Sequence, residues 1–300
     1  MPVLAKPKPH EEVSLQSAVR GNSALFPVCA NPKCGSSWLR LWRNRQAPVI
    51  EGGWTCSAEC TRAAVEGCLR RETEGAADLP QGHRHRVPIG LILLEKGWIS
   101  REQLRAALDA HREAIAKGKQ AVRVGTWLVE QTGLEERLLT RALGIQWNCP
   151  VFEIANYRPE TVCGLVPRLF LDAFGVLPLH VAAASVLYVA FADRIDRCVT
   201  FALERMTGLR VEAGLADGSE FRAAHAVMLG ERFPAARLIE AASSSVLTQE
   251  LTRVIEATKP QEGKLVRLRE YFWLRLWHRK GAPAQEDETE DVVCSITRFG

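Results

Sequence analysis

The strongest constraint on the fold of this chain is a phrase that occurs twice. Pro88-Ile89-Gly90 leads to Gly97, Leu104, Leu108 and His111, and Arg123-Val124-Gly125 leads to Leu139, Leu143 and Gln146. Counted from the first residue of each triplet, both copies put Gly third, Leu seventeenth and twenty-first, and a long polar side chain twenty-fourth, at an offset of 35 residues. Such a period means one supersecondary unit used twice, each copy burying its apolar face against the other. The run Ile89 to Leu94 stops at Gly97, and Ser100 with Gln103 three residues on forms a capping-box pattern ahead of a second helix. Leu104 and Leu108 at i and i+4 share a face with His111. Gly90 and Gly125, at helix starts, leave backbone N–H groups uncovered, where a planar or anionic ligand can approach. On residue chemistry alone, helical pairs with core leucines are the better-supported reading, because a pattern is not a site.

The second constraint is a cysteine quartet upstream. Cys29 and Cys34 form one pair and Cys56 and Cys60 the other, separated by 21 residues and followed by a helical pattern over Thr61 to Glu72. Two pairs, one in a turn and one at a helix start, suit a closed tetrahedral Zn(II) site, and the helix N-terminus favours the last thiolates. The layout resembles a treble-clef finger, and a unit this short needs a metal or disulfides to hold it. The metal is therefore expected to be structural, with Cys29, Cys34, Cys56 and Cys60 as ligands and Cys68, further along the helix, in packing. Between the pairs, Trp38 to Arg45 alternates aromatic and basic residues, a pattern that stacks on bases in some proteins. Three arginines make a small patch, so a hairpin strand is the better account and nucleic acid is not an expected partner.

Composition sets the remaining bounds. The chain has 300 residues, 47% hydrophobic and 25% charged, with a net charge of +4, enough apolar content for a packed core and too little charge to argue for nucleic acid. No secretory signal pattern opens the sequence, and no apolar run reaches the length of a membrane helix, so a cytoplasmic protein is expected. Grouped cysteines in such a chain favour metal over disulfides.

Along the chain, residues 1–24 read as a flexible tail, 25–72 as the zinc-binding module, 73–87 as a basic linker containing His83, Arg84, His85 and Arg86, and 88–150 as the tandem helical unit. Over 151–230 the character changes. Val151 to Ile154 reads as a strand, Pro159 to Phe174 as a helix pair broken at Pro167, and Val176 to Val181 and Val186 to Phe191 as strands. A helix to Thr207 closed by Gly208, a strand over Leu209 to Ala216 and a helix capped by Ser219 follow. The fold class is α+β: a small treble-clef-like zinc module, a helical tandem-motif bundle, then a compact ββαβα unit. Residues 231–300 are expected to be a helical extension with an acidic tail at Gln285 to Asp291. Within it, Lys264 to Lys280 reads as a basic amphipathic helix fit to pack back on the domain, to lie on a membrane surface or to fill a partner groove.

The repeated phrase resembles the tandem motifs of the N-terminal domain, MshEN, of the GspE/PilB/MshE family of type II secretion and type IV pilus ATPases. Those motifs begin Arg-Leu-Gly, continue through Gly and two Leu, and end in Gln. The second copy here matches at Arg123, Gly125, Leu139, Leu143 and Gln146, with Val124 in place of Leu; its middle glycine, Gly133, is displaced by one position. The first copy departs at both polar anchors, with Pro88 for Arg and His111 for Gln, while Arg84 and Arg86 lie close by but out of register. The resemblance spans residues 84–230. It implies a cyclic di-GMP site in which Arg123 and Gln146 make polar contacts, Ile89, Val124, Leu104, Leu108, Leu139 and Leu143 apolar ones, Gly90 and Gly125 allow close approach, and His111 stands at the last position of the first copy.

The family ATPases need a phosphate loop of the form GxxxxGK[ST]; none occurs here, nor do GxSxG or HExxH motifs. The expectation is a non-enzymatic regulator that binds cyclic di-GMP and carries a structural zinc module. The competing expectation is an adaptor of a secretion or pilus system that has lost nucleotide binding.

Overall fold

A computed structural model describes residues 29–34, 47–75, 86–118, 124–279 and 288–297. The tail at 1–24, the Trp38 to Arg45 segment, Gln81 to His85, Arg123, Lys280 and residues 285–287 lie outside the described residues. Among the described residues the strands form three sheets, one of two strands and two of four.

The repeat folds as four helices, α2 (Ile89–Glu95), α3 (Arg101–Ala116), α4 (Val124–Thr132) and α5 (Glu136–Trp147), preceded in the chain by α1 (Ala58–Gly75). The capping box at α3 is formed: Ser100 N–H donates to Gln103 Oε1 at 2.8 Å and Gln103 N–H to Ser100 Oγ at 3.2 Å. Contacts run across the copies, α2 against α5 and α3 against α4. The buried core is written at the repeat offset: Leu93 with Leu128, Ile99 with Leu134, Ala107 with Ala142. Each glycine of the phrase faces the leucine of its own copy. A Cβ on Gly90 would stand 2.8 Å from Leu104, and one on Gly125 3.2 Å from Leu139. The repeated Gly and Leu are therefore a packing pair first.

The next unit comprises β3 (Val151–Phe152), α6 (Arg168–Phe174), β4 (Val176–Ala182), β5 (Val186–Phe191), α7 (Arg197–Thr207), β6 (Arg210–Ala216) and α8 (Gly218–Leu229), with strand order β3-β6-β5-β4. β4 and β5 pair antiparallel, while β5, β6 and β3 run parallel. Pro178 is tolerated inside β4 because β4 is an edge strand whose register shifts between Pro178 and His180. Asp196 caps α7, accepting from Cys198 N–H at 2.9 Å and Val199 N–H at 3.4 Å, and Gly208 ends it at φ 72°. Of the expected helix pair, only α6 is an α-helix; Pro159–Thr161 and Cys163–Leu165 are single 3₁₀ turns. α8 starts after Asp217, not at Ser219.

The C-terminal region is not the helical extension its sequence suggested. β7 (Ala235–Ala241), α9 (Ser244–Thr258), β8 (Glu262–Leu268), β9 (Tyr271–Trp277) and β10 (Thr289–Ile296) build a second sheet in the order β7-β10-β9-β8. The stretch read as a membrane-surface helix is the β8–β9 hairpin, reversed at Arg269 with φ 55°. Its apolar residues also satisfy period two, and both faces are covered, so the run is nearly continuous and helix and strand readings coincide. Leu265, Phe272, Leu274 and Leu276 face α1 and α9, while Val266, Leu268 and Trp273 join the core of the preceding α+β unit. That burial leaves no apolar stripe for a membrane. The expected acidic tail is corrected at its end, where Asp291 is wholly buried in β10.

The cysteine module is not a unit of its own. β1 (Val49–Ile50) and β2 (Gly53–Trp54) form a hairpin turning through Glu51 and Gly52, both at positive φ, and α1 follows. Ile50, Val65, Cys68 and Leu69 share one core with Leu247, Leu251 and Ile255 of α9. Thr61 is hydrogen-bonded to Glu256. Glu72, buried near the end of α1, accepts from Arg205 at 2.7 Å and from the N–H of Arg267 at 2.9 Å. No helix of the described residues is long and apolar enough to cross a membrane.

Candidate functional site

Two places gather chemistry. The first is the cysteine cluster. The β1–β2 hairpin and the start of α1 bring Cys29, Cys34, Cys56 and Cys60 together, with all four sulfurs within 4.8 Å of one another. Cys34 and Cys56 Sγ lie 3.4 Å apart, Cys56 and Cys60 Sγ 3.6 Å, and Asn31 Nδ2 donates to Cys60 Sγ at 3.4 Å. A tetrahedron with metal–sulfur bonds of about 2.3 Å has sulfur–sulfur edges of about 3.8 Å, so the cluster is close to that shape. Burial, and then the neighbouring sulfurs, push the Cys56 thiol up to about 12. Burial likewise raises Cys29. Sulfurs so crowded resist ionising by themselves, and a divalent cation reverses that preference by supplying the missing positive charge. The four cysteines can hold a metal ion. A tetrahedral ion held by all four would have no open position for substrate.

The second is a cleft of 790 Å³ between the helical repeat and the α+β unit. From the repeat it is lined by Ile89, Val124, Gly125, Leu139, Leu143 and Gln146, joined by Val129, Glu130, Glu136, Thr140 and Trp147. From the α+β unit come Ala192, Asp193 and Arg194, just before α7, and Gly218 and Arg222 of α8. Six of the eleven residues singled out in the sequence thus meet at one place. Arg123 lies outside the described residues. Gly90, Leu104, Leu108 and His111 are not among the residues lining the cleft; Leu104 packs in the helical core and covers Gly90.

Local contacts fix the cleft walls. Glu136 Oε2 accepts from Ser219 N–H at 3.2 Å, and Oε1 lies 3.7 Å from Arg222. A Cβ at Gly218 would stand 2.6 Å from Glu136 Oε1, so a larger residue there would displace the glutamate's carboxylate. Gln146 Nε2 donates to the carbonyl of Val87 at 2.7 Å, tying the end of the second copy to the entry of the first. Arg86 lies over Trp147, its guanidinium carbon 3.1 Å from the ring centroid. Burial, and then Arg197 and Arg194, pull this guanidinium below its ordinary value. Sequence reasoning missed Trp147, Arg194 and Arg222 as cleft residues. Trp147 directly follows Gln146 and was within reach; Arg194 and Arg222 come from another unit, and no motif pointed to them.

Comparison with known proteins places the resemblance. Residues 147–232 match the family model of the MshEN domain. A type IV pilus assembly ATPase PilB of Myxococcus xanthus is 28% identical over 147 residues, which cover 49% of this chain and 25% of the relative. A PilB of Thermus thermophilus is 29% identical over 126 residues, 41% of this chain and 14% of the relative. The chain therefore spans a quarter or less of the length of these curated relatives. Among solved structures, "Structure of MshE with cdg" is 23% identical with a TM-score of 0.39, covering 48% of this chain and 99% of that one. The N-terminal domain of XpsE is 20% identical with a TM-score of 0.33, covering 46% of this chain and 91% of that one. The MshEN resemblance carried by the repeat is thus met by a match in the segment that follows it, and the relatives are PilB-type ATPases.

Proposed function

We propose that this chain is a non-enzymatic receptor for cyclic di-GMP, working beside a type IV pilus or type II secretion machine, with a structural Zn(II) held by Cys29, Cys34, Cys56 and Cys60. One observation carries the reading. Val124, Gly125, Leu139, Leu143 and Gln146 of the better-preserved copy converge with Ile89 on one cleft of 790 Å³. Small-molecule sites run to about 300–1,000 Å³ and are mostly apolar with a few polar groups, as here. The leucines and Val124 supply apolar walls. Gln146 gives one of its two amide N–H donors to Val87, which leaves the other donor and the oxygen for base recognition. Arg123, at the head of the same copy, supplies charge. The working partners follow from the PilB-type relatives.

A second reading has its own observation. In the first copy Leu104 fills the space over Gly90, and neither Leu108 nor His111 reaches the cleft. A repeat kept only for packing would serve as an adaptor that docks to the machine without nucleotide. Calorimetric titration of the metal-loaded chain with cyclic di-GMP separates the two. The receptor reading expects saturable binding, weakened about tenfold or more by Arg123→Ala and by Gln146→Ala, the scale of one lost charged or buried hydrogen bond. An absence of heat with the wild-type chain refutes the receptor and leaves the adaptor.

A further inference from the structure

We propose that Arg86 and Arg194 form a phosphate-binding site at the Trp147 end of the cleft, built from side chains outside the two repeat motifs. Its assignment to a phosphodiester of cyclic di-GMP rests on the receptor reading above; the anion site itself does not.

The geometry begins with Arg86. Its guanidinium carbon stands 3.1 Å above the ring centroid of Trp147. A guanidinium held against a ring face is partly immobilised in advance and loses less freedom when its N–H donors bind an anion. Two more cations, Arg197 and Arg194, act on it through space. Trp147 and Arg194 both line the cleft, so the stacked guanidinium sits at its wall. The carboxylates of the cleft are Glu130, Glu136 and Asp193, and Glu136 is held by Arg222 and by the N–H of Ser219. Cations brought together cost free energy, and an anion bound between them turns that cost into charge-assisted hydrogen bonds.

The two copies add an independent argument. At its first position the second copy has Arg123, and the first copy has Pro88. Pro88 cannot donate a hydrogen bond. Arg86, two residues upstream, instead reaches over the ring that follows the last residue of the second copy. The cation absent from the repeat register is thereby returned to the cleft, and the α+β unit contributes Arg194 beside it.

The test uses the full metal-loaded chain and two probes, inorganic pyrophosphate and cyclic di-GMP. The readouts are calorimetry and the indole N–H resonance of Trp147, assigned by its loss in Trp147→Phe. Pyrophosphate is expected to shift that resonance saturably, with affinity falling as salt rises. Arg86→Ala and Arg194→Ala should each weaken it about tenfold. Arg86→Lys should fail to restore it, since an ammonium offers no planar fork. Pyrophosphate without effect, or with an effect indifferent to both alanine variants, overturns the site. Pyrophosphate binding in a chain that ignores cyclic di-GMP keeps the anion site and refutes the receptor. Cyclic di-GMP binding lost in Arg123→Ala but unchanged in Arg86→Ala and Arg194→Ala keeps the receptor and overturns this site.

Discussion

Replacing Arg275 by alanine should be among the most damaging single changes in this chain. Arg275 is 1% exposed and Asp291 0%. Arg275 Nε donates to Asp291 Oδ1 and Nη2 to Oδ2, both at 2.7 Å, and Trp273 Nε1 donates to Oδ1 at 2.7 Å. The remaining arm, Nη1, donates to the carbonyl of Leu165 at 3.1 Å, across the boundary between the C-terminal sheet and the α+β unit. Alanine leaves the Asp291 carboxylate buried with one neutral donor, and breaking such a pair costs about 3–5 kcal/mol. With a urea dependence of about 2 kcal/mol per molar, a loss of about 4 kcal/mol moves the midpoint down by about 2 M. Urea unfolding of the metal-loaded chain, followed by tryptophan fluorescence, reads this directly. Arg275→Met with Asp291→Leu removes both charges together and should recover at least half of the loss, because the desolvation penalty goes with them. A single-variant loss below about 1 kcal/mol, or a double variant as unstable as the single one, would refute the claim that an uncompensated buried charge sets the cost.

Three other outcomes follow from the same coordinates. Cobalt(II) should load one ion per chain with tetrahedral thiolate absorption, Cys60→Ser should abolish it, and chelation should lower the melting temperature, because the cluster anchors the start of α1 on α9. Burial pushes the Cys294 thiol from 9.0 to about 12, so the folded chain keeps a proton that the unfolded chain releases. That contribution is complete below pH 9 and is lost as pH rises toward 12. Between pH 9 and 10 the wild type should therefore lose about 1 kcal/mol more than Cys294→Ala in urea titrations, and equal slopes would refute the buried thiol. Gly214→Ala should cost about 1–3 kcal/mol, because its Cβ would stand 2.7 Å from the carbonyl of Pro150, backbone that has no rotamer to escape into; an unchanged melting temperature would show that β3 can shift.

The repeat was the most legible part of the sequence because its period writes the core twice, and Leu93 with Leu128 or Ala107 with Ala142 needs no tertiary information to be paired. The cysteine cluster was legible for a similar reason, since metal chemistry fixes residue type and spacing locally. The C-terminal sheet was not. Leu265, Leu268, Phe272 and Leu276 satisfy a helical stripe, but in the hairpin Leu268 faces the opposite side from the other three, and the choice is made by β10, which pairs along β9. Asp291 looked like one more acid of a solvated tail until Arg275 and Trp273 were seen around it. One wall of the cleft was hidden for the same reason: the glycine and leucines belong to a local phrase, while Arg194 and Arg222 arrive from a different unit.

The same helix meets the cleft at one end and the cysteine module at the other. Ala192, Asp193 and Arg194 line the cleft just before α7, and Asp196, which caps that helix, is ion-paired to Arg269 at the β8–β9 turn. Two turns on, Arg205 is hydrogen-bonded to Glu72 of α1, the helix whose first turn carries Cys60. Glu72 also receives the N–H of Arg267 in β8, so α7, α1 and the C-terminal sheet share one buried carboxylate. A ligand that moved the segment before α7 would have to move it against both ion pairs. Position alone does not make two sites allosteric; coupling needs a second arrangement that each site favours differently. The contact that such a change would have to break is Glu72 with Arg205, because it joins α7 directly to the helix that begins at the cysteine cluster. If the cleft speaks to the cysteine module through α7, it does so through that carboxylate.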